Sequence, residues 1–149
     1  MRVAVGADHA GFPLKAAVID AIERRGHSVV DCGTDSTAPV DFPDITRATC
    51  TPVLTDAADR AILVCGTGAG AVMAANKIPG IRCGLANEPY SAHQAVEHDD
   101  ANAIAIGAWL IPHAFVDEVV GNFLDAVFDD DEDTRRRVAK LNDLDLLTP

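Results

Sequence analysis

Short apolar runs alternate along this chain with longer stretches in which apolar residues return every three or four positions. Arg2–Gly6, His27–Cys32, Arg60–Cys65, Arg82–Ala86 and Ala103–Gly107 are short, largely apolar runs, the pattern of strands buried on both faces. Between them, Phe12–Arg25 carries Leu14, Ala17, Val18, Ala21 and Ile22 at helical spacing, and Gly26 stops it. The same period predicts helices over Asp44–Asp56, Gly70–Lys77, Pro89–Glu97, Pro112–Phe128 and Thr134–Leu146. Pro52 weakens the helical signal of Asp44–Asp56, because an interior proline removes a backbone donor. Gly33–Pro43 reads as a polar loop, and Pro79-Gly80 as a turn.

Strand and helix alternate five times, the mark of a parallel sheet with helices on both faces. Right-handed crossovers make this a Rossmann-like, doubly wound α/β fold with an added C-terminal helix. No internal repeat or linker divides the chain, so residues 1–149 are read as a single domain. In such a fold ligands bind beyond the carboxyl ends of the strands. Those ends carry Asp8, His9, Cys65, Thr67 and the segment after Gly107.

Composition narrows the function classes. A net charge of −11 argues against general nucleic-acid binding. Much of it is local, in Asp129-Asp130-Asp131-Glu132-Asp133, which reads as a solvated helix start or loop. The 4 cysteines form no CxxC pair, and no secretory or membrane-spanning segment is evident. Free thiols in a reducing cytoplasm are therefore expected. Cys32, Cys50 and Cys83 read as packed residues, and His27, His93 and His113 as surface or packing residues. The histidines show no metal-ligand spacing.

The chemistry concentrates in two strand ends, Gly6-Ala7-Asp8-His9-Ala10-Gly11 and Val64-Cys65-Gly66-Thr67-Gly68-Ala69-Gly70. A thiol where a strand meets a helix N-terminus is expected to have a lowered pKa. A loop of free N–H groups beside it can hold an oxyanion or a phosphate. Gly66, Gly68 and Ala71, with Glu88 about 20 residues on, also match a dinucleotide fingerprint. That match is weak, since the loop follows the third strand and is preceded by a cysteine. A tight structural turn is the blander alternative. His98 ends the helix Pro89–Glu97, where the dipole favours an imidazolium, so helix capping competes with catalysis there.

Taken together, Gly6-Ala7-Asp8-His9-Ala10-Gly11-Phe12, Pro13-Leu14-Lys15, Cys65-Gly66-Thr67-Gly68, Ala74-Ala75-Asn76-Lys77, Pro79-Gly80-Ile81-Arg82, Tyr90-Ser91-Ala92 and His98-Asp99-Asp100-Ala101-Asn102 resemble type B ribose-5-phosphate isomerases. That family includes the galactose-6-phosphate isomerase subunits. The resemblance implies a homodimer or homotetramer with shared active sites, acting on a sugar or sugar phosphate without metal or organic cofactor. It implies that Cys65 moves a proton between C1 and C2 through an enediolate. Thr67 and the N–H groups from Gly66 to Gly70, Gly68 included, would hold the oxyanion. His98, reaching into the partner's site, would open the sugar ring. Asp8 would contact the ring oxygen or a hydroxyl, and His9 the phosphate end or a distal hydroxyl.

Four positions depart from the family pattern. Phe42 stands for a tyrosine, Asp99 for an asparagine, Trp109 for an arginine, and Asp133 for the first of two phosphate-binding arginines, of which Arg137 is the second. Such phosphate contacts are charge-assisted, and their loss disfavours a dianion. Ribose 5-phosphate and ribulose 5-phosphate are the default pair. The alternatives are another sugar, phosphorylated or not, on the same machinery, or a non-catalytic subunit supporting a partner isomerase.

Overall fold

The computed structural model describes residues 1–147. Its elements in order are β1 (Arg2–Ala7), α1 (Phe12–Arg24), β2 (Ser28–Asp31), α2 (Phe42–Leu54), β3 (Arg60–Cys65), α3 (Ala69–Ala75), β4 (Cys83–Leu85), α4 (Pro89–Glu97), β5 (Ala103–Gly107), α5 (His113–Asp125) and α6 (Glu132–Asp143). A 3-10 turn, Leu144–Leu146, follows α6. The sheet is parallel throughout, in the order β2-β1-β3-β5-β4. From β1 the chain moves outward to β2 and then back across to β3. The strand order therefore reverses between β1 and β3, and a crevice opens at their carboxyl ends. Ala7 is in register with Val64, and Cys65 with Gly107, so the ends of β1, β3 and β5 meet.

Alternating side chains serve two different layers. Val3, Val5, Ile62, Val64, Ile104 and Ile106 pack with α1, α4 and α5. Ala4, Ala61, Leu63, Ala103 and Ala105 face α2 and α3. Each fully buried Val or Ile contributes about 1.5–3 kcal/mol, so the first layer supplies most of the hydrophobic stabilisation. The small residues of the second let α2 and α3 lie close to the sheet, above the crevice.

Element ends differ from the expected ones where tertiary contacts intervene. Helix α2 begins two residues early, at Phe42, because Pro43 sits in its first turn, where a missing N–H costs nothing. Pro52 does not break it before Leu54. Helix α5 stops at Asp125, not Phe128. There the Arg60 guanidinium, stacked 5.1 Å from the Phe123 ring, donates to the carbonyls of Phe123 and Ala126. It satisfies groups that another helical turn would have covered. The acidic run is a helix start: Asp131 caps α6, accepting from the Thr134 N–H at 2.8 Å.

Candidate active site

Asp8 follows β1 and is buried. Its Oδ1 accepts the N–H groups of Ala10 (2.9 Å) and Gly11 (2.8 Å), which fixes the turn into α1. The carboxylate faces the Cys65 thiol across the crevice, and a small recess between them is lined by Phe42, Ile45 and Ala71. His9 sits at the exposed rim, its Nδ1 accepting the Val40 N–H at 3.3 Å. Lys15 is buried and ties the neighbouring loop down, reaching the Thr34 carbonyl at 2.8 Å and the Asp31 carboxylate at 2.7 Å.

After Cys65 the chain turns sharply. Gly68 adopts φ +82°, a left-handed conformation that suits glycine, and α3 starts at the next residue. The Thr67 hydroxyl, just before that start, accepts the Ala69 N–H at 3.4 Å. The N–H groups of Gly66 and Gly68 point at the Cys65 sulfur, and both favour its thiolate. Gly70 lies in the first turn of α3, beside the Phe42 ring. Its N–H is one of those that a helix start leaves without an intrahelical partner.

The expected lowering of the thiol pKa does not occur. Burial pushes the Cys65 thiol up, and the adjacent Asp8 adds to this by hydrogen bonding and by charge. The two glycine N–H groups oppose the shift without cancelling it. The resting thiol is therefore protonated at neutral pH, and it gains thiolate as pH rises.

Trp109 follows β5 and lies against Gly66. Its N–H donates to the Gly66 carbonyl at 2.9 Å, and that of Ala108 to the Cys65 carbonyl at 2.8 Å. Asn87, which sequence reasoning did not single out, accepts the Gly107 N–H at 2.7 Å and holds the β5 end against the Thr67 loop. It lies two residues past β4, and its role appears only when β4 pairs with β5. Glu88 caps α4, taking the N–H groups of Tyr90 and Ser91 at 2.7 and 2.6 Å. That employment, at the end of the edge strand β4 with β5 standing between it and the glycine loop of β3, counts against the dinucleotide reading of that loop.

His98, Asp99 and Arg137 are not brought to this recess. Helix α4 runs antiparallel to the strands, so His98 at its end stands at the amino edge of the sheet, across the full strand length from Cys65. His98 is exposed and lies 3.7 Å from Glu97. Asp99 lines a separate cavity of about 370 Å³ with Arg82, Asn142 and Asp145. Arg137, on α6, faces Asp133 at 4.0 Å, while Arg136 pairs with Asp133 and Arg135 with Asp130. Among the described residues no group of three or more His, Cys, Asp or Glu side chains could hold a metal ion, and no helix is long and apolar enough to cross a membrane.

A family model described as Ribose/Galactose Isomerase matches residues 3–141. Ribose-5-phosphate isomerase B of Escherichia coli (strain K12) is 36% identical over 128 residues, covering 86% of each chain. D-erythrulose-4-phosphate isomerase of Pectobacterium atrosepticum is 35% identical over 131 residues, covering 87% of this chain and 86% of that one. The solved ribose-5-phosphate isomerase B of Clostridium thermocellum superposes with a TM-score of 0.94 at 35% identity, covering 98% of both chains. The fold, the thiol at its switch point and these likenesses agree: the chain belongs to the ribose/galactose isomerase family and is an aldose–ketose isomerase.

Proposed function

We propose that this protein interconverts ribose 5-phosphate and ribulose 5-phosphate, with Cys65 carrying the proton. The observation that bears most weight is Cys65 itself, in a recess at the switch point, with Asp8 on one side and backbone N–H groups around it. In the aldose-to-ketose direction the minor thiolate form of Cys65, which grows as pH rises, takes the proton from C2. The C2–H electrons form the C1=C2 bond, and the C1 carbonyl oxygen becomes an enediolate oxygen. The C1=C2 electrons then take the proton back from the thiol at C1 while the O–H electrons of O2 form the C2 carbonyl, and the O2 proton passes to O1, which becomes the C1 hydroxyl and leaves Cys65 as the thiolate. Thr67 and the N–H groups around Gly70 stabilise the oxyanion. Asp8 and His9 receive hydroxyls of the open chain.

The remaining groups come from a second copy of the chain. His98, Asp99 and Arg137 are displayed at the opposite edge of the sheet, so within one chain they cannot serve Cys65. A homodimer, or a dimer of dimers, that places the amino edge of one chain at the carboxyl edge of another completes the site. His98 then opens the sugar ring, and Arg137 with its neighbours meets the phosphate.

A second reading is the same chemistry on a different sugar. Two observations favour it: Asp133 already engages Arg136 and Arg137, and a relative of similar identity is named for D-erythrulose 4-phosphate. Proton NMR in heavy water separates the two. Exchange and isomerisation of ribose 5-phosphate, with slower turnover of erythrulose 4-phosphate and free ribose, supports the pentose phosphate; the reverse order supports the second reading.

A further inference from the structure

Trp109 is the one tryptophan of the chain, and it stands outside both buried hydrophobic clusters. It is 72% exposed, whereas Phe123, the largest fully buried side chain, is wholly inside. The backbone fixes its place. β5 lies beside β3, Gly107 is in register with Cys65, and the Trp109 N–H bonds to the Gly66 carbonyl. The six-membered part of the indole packs against Gly66: a methyl group there would stand 2.9 Å from Cη2 and Cζ3. Residue 66 is thus bare where the ring covers it, and the ring is one residue from the thiol. On the other side, Phe42 lines the recess and approaches Gly70.

Two uncharged rings stand beside the Cys65 loop, Phe42 in the recess and Trp109 over Gly66, and the one charged side chain that lines the recess is the Asp8 carboxylate, which repels a phosphate. Lys15 is committed to Thr34 and Asp31, and the arginines of α6 lie at the other end of the sheet. A flat apolar ring favours the C–H face of a carbon chain over a phosphate. We propose that Trp109 is the platform on which the sugar's carbon chain beyond C2 stacks, and that it selects which sugars reach Cys65. This rests on the isomerase reading but not on the choice of ribose 5-phosphate.

The test uses the intact protein with Cys65→Ala, which binds without turnover, and its own tryptophan emission. Ribose 5-phosphate, erythrulose 4-phosphate, free ribose and inorganic phosphate are titrated in turn. A saturable emission change is expected with every sugar the wild type isomerises and none with inorganic phosphate. In otherwise wild-type protein, Trp109→Ala should raise KM about tenfold for the turned-over sugar with kcat little changed, and Trp109→Phe should restore most of the loss. Silent emission with a sugar that is turned over, an equal response to inorganic phosphate, or a Trp109→Ala variant that loses only kcat would overturn the assignment. If erythrulose 4-phosphate is turned over and ribose 5-phosphate is not, the pentose phosphate reading fails, and the emission test is then scored on erythrulose 4-phosphate.

Discussion

The two edges of the sheet are built in opposite ways. At the carboxyl edge, residues far apart in sequence converge: Asp8 after β1, Cys65 at the end of β3 and Phe42 of α2 line one recess, and Trp109 from beyond β5 covers the adjoining Gly66. Their geometry is fixed by backbone hydrogen bonds, and the thiol is half-buried. At the amino edge, His98, Asp99 and the arginines of α6 are neighbours in sequence or on one helix. They are solvent-facing, and His98 and the arginines lie beside nearby carboxylates. One edge is preorganised to do chemistry; the other is a set of charges presented outward. Under the proposed function a single chain would hold the proton-transfer centre and only part of the substrate site, which is an arrangement a symmetric assembly can complete twice.

The comparison breaks most sharply at the thiol. Cys65→Ala should lower kcat by about 10²–10⁴-fold, the range for losing a positioned acid–base group, with far-UV circular dichroism unchanged. Retained turnover would move the chemistry away from the carboxyl edge.

Joining the two edges is tested by mixing. Cys65→Ala and His98→Ala proteins, each inactive alone, should recover about a quarter of wild-type activity after subunit exchange, since half the dimers are mixed and each mixed dimer holds one intact site. Exchange demonstrated by mass spectrometry with no recovered activity would place both residues in one chain's site, contrary to the topology.

A smaller effect isolates the role of Asp8. Its charge helps to hold the Cys65 thiol above the ordinary thiol range, so removing that charge should lower the thiol pKa. The pH midpoint for iodoacetamide alkylation of Cys65 should therefore fall in Asp8→Asn, and the rising limb of kcat/KM in the wild type should follow the wild-type midpoint. Cys50, pushed up to about 12 by burial, and Cys83, raised further, serve as unreactive controls. An unshifted midpoint would mean that burial alone sets the thiol.

The smallest expected effect lies far from both edges. Asp117 receives the Arg24 and Arg25 guanidinium groups at 2.8 Å, which hold its carboxyl far below the usual carboxylate range. A carboxylate with a depressed folded pKa stabilises above its unfolded pKa, and that stabilisation is lost as pH falls through the folded value. Because these groups are substantially exposed, Asp117→Asn should lower Tm by only a few degrees near neutral pH, and the gap should close in strong acid. A gap that persists there would point to packing, not charge.

How far the sequence could be read varies by element. The five strands, the helix order and the positions of Asp8 and Cys65 at strand ends were legible because each follows from local periodicity and glycine placement. The end of α5 was not, since Arg60, more than sixty residues earlier, supplies the partner for its last carbonyls. The thiol pKa was misjudged in direction for a similar reason. A helix start beside a cysteine is visible in sequence, but the burial and the facing Asp8 that outweigh it are contributed by β1 and α2. Asn87 passed unnoticed because its role, bracing the β5 end against the Thr67 loop, exists only once β4 and β5 are adjacent.

By itself the sequence determined the class of fold and the family, because hydrophobic period and motif spacing are properties of the chain read in order. It also determined which residue types are available for chemistry. Only the tertiary structure decided which of them meet. Strand order put Asp8 against Cys65 and laid Trp109 over Gly66, and the antiparallel run of α4 carried His98 to the far edge. Proximity, burial and field depend on which distant segments the sheet makes neighbours, and the thiol's protonation depends on all three.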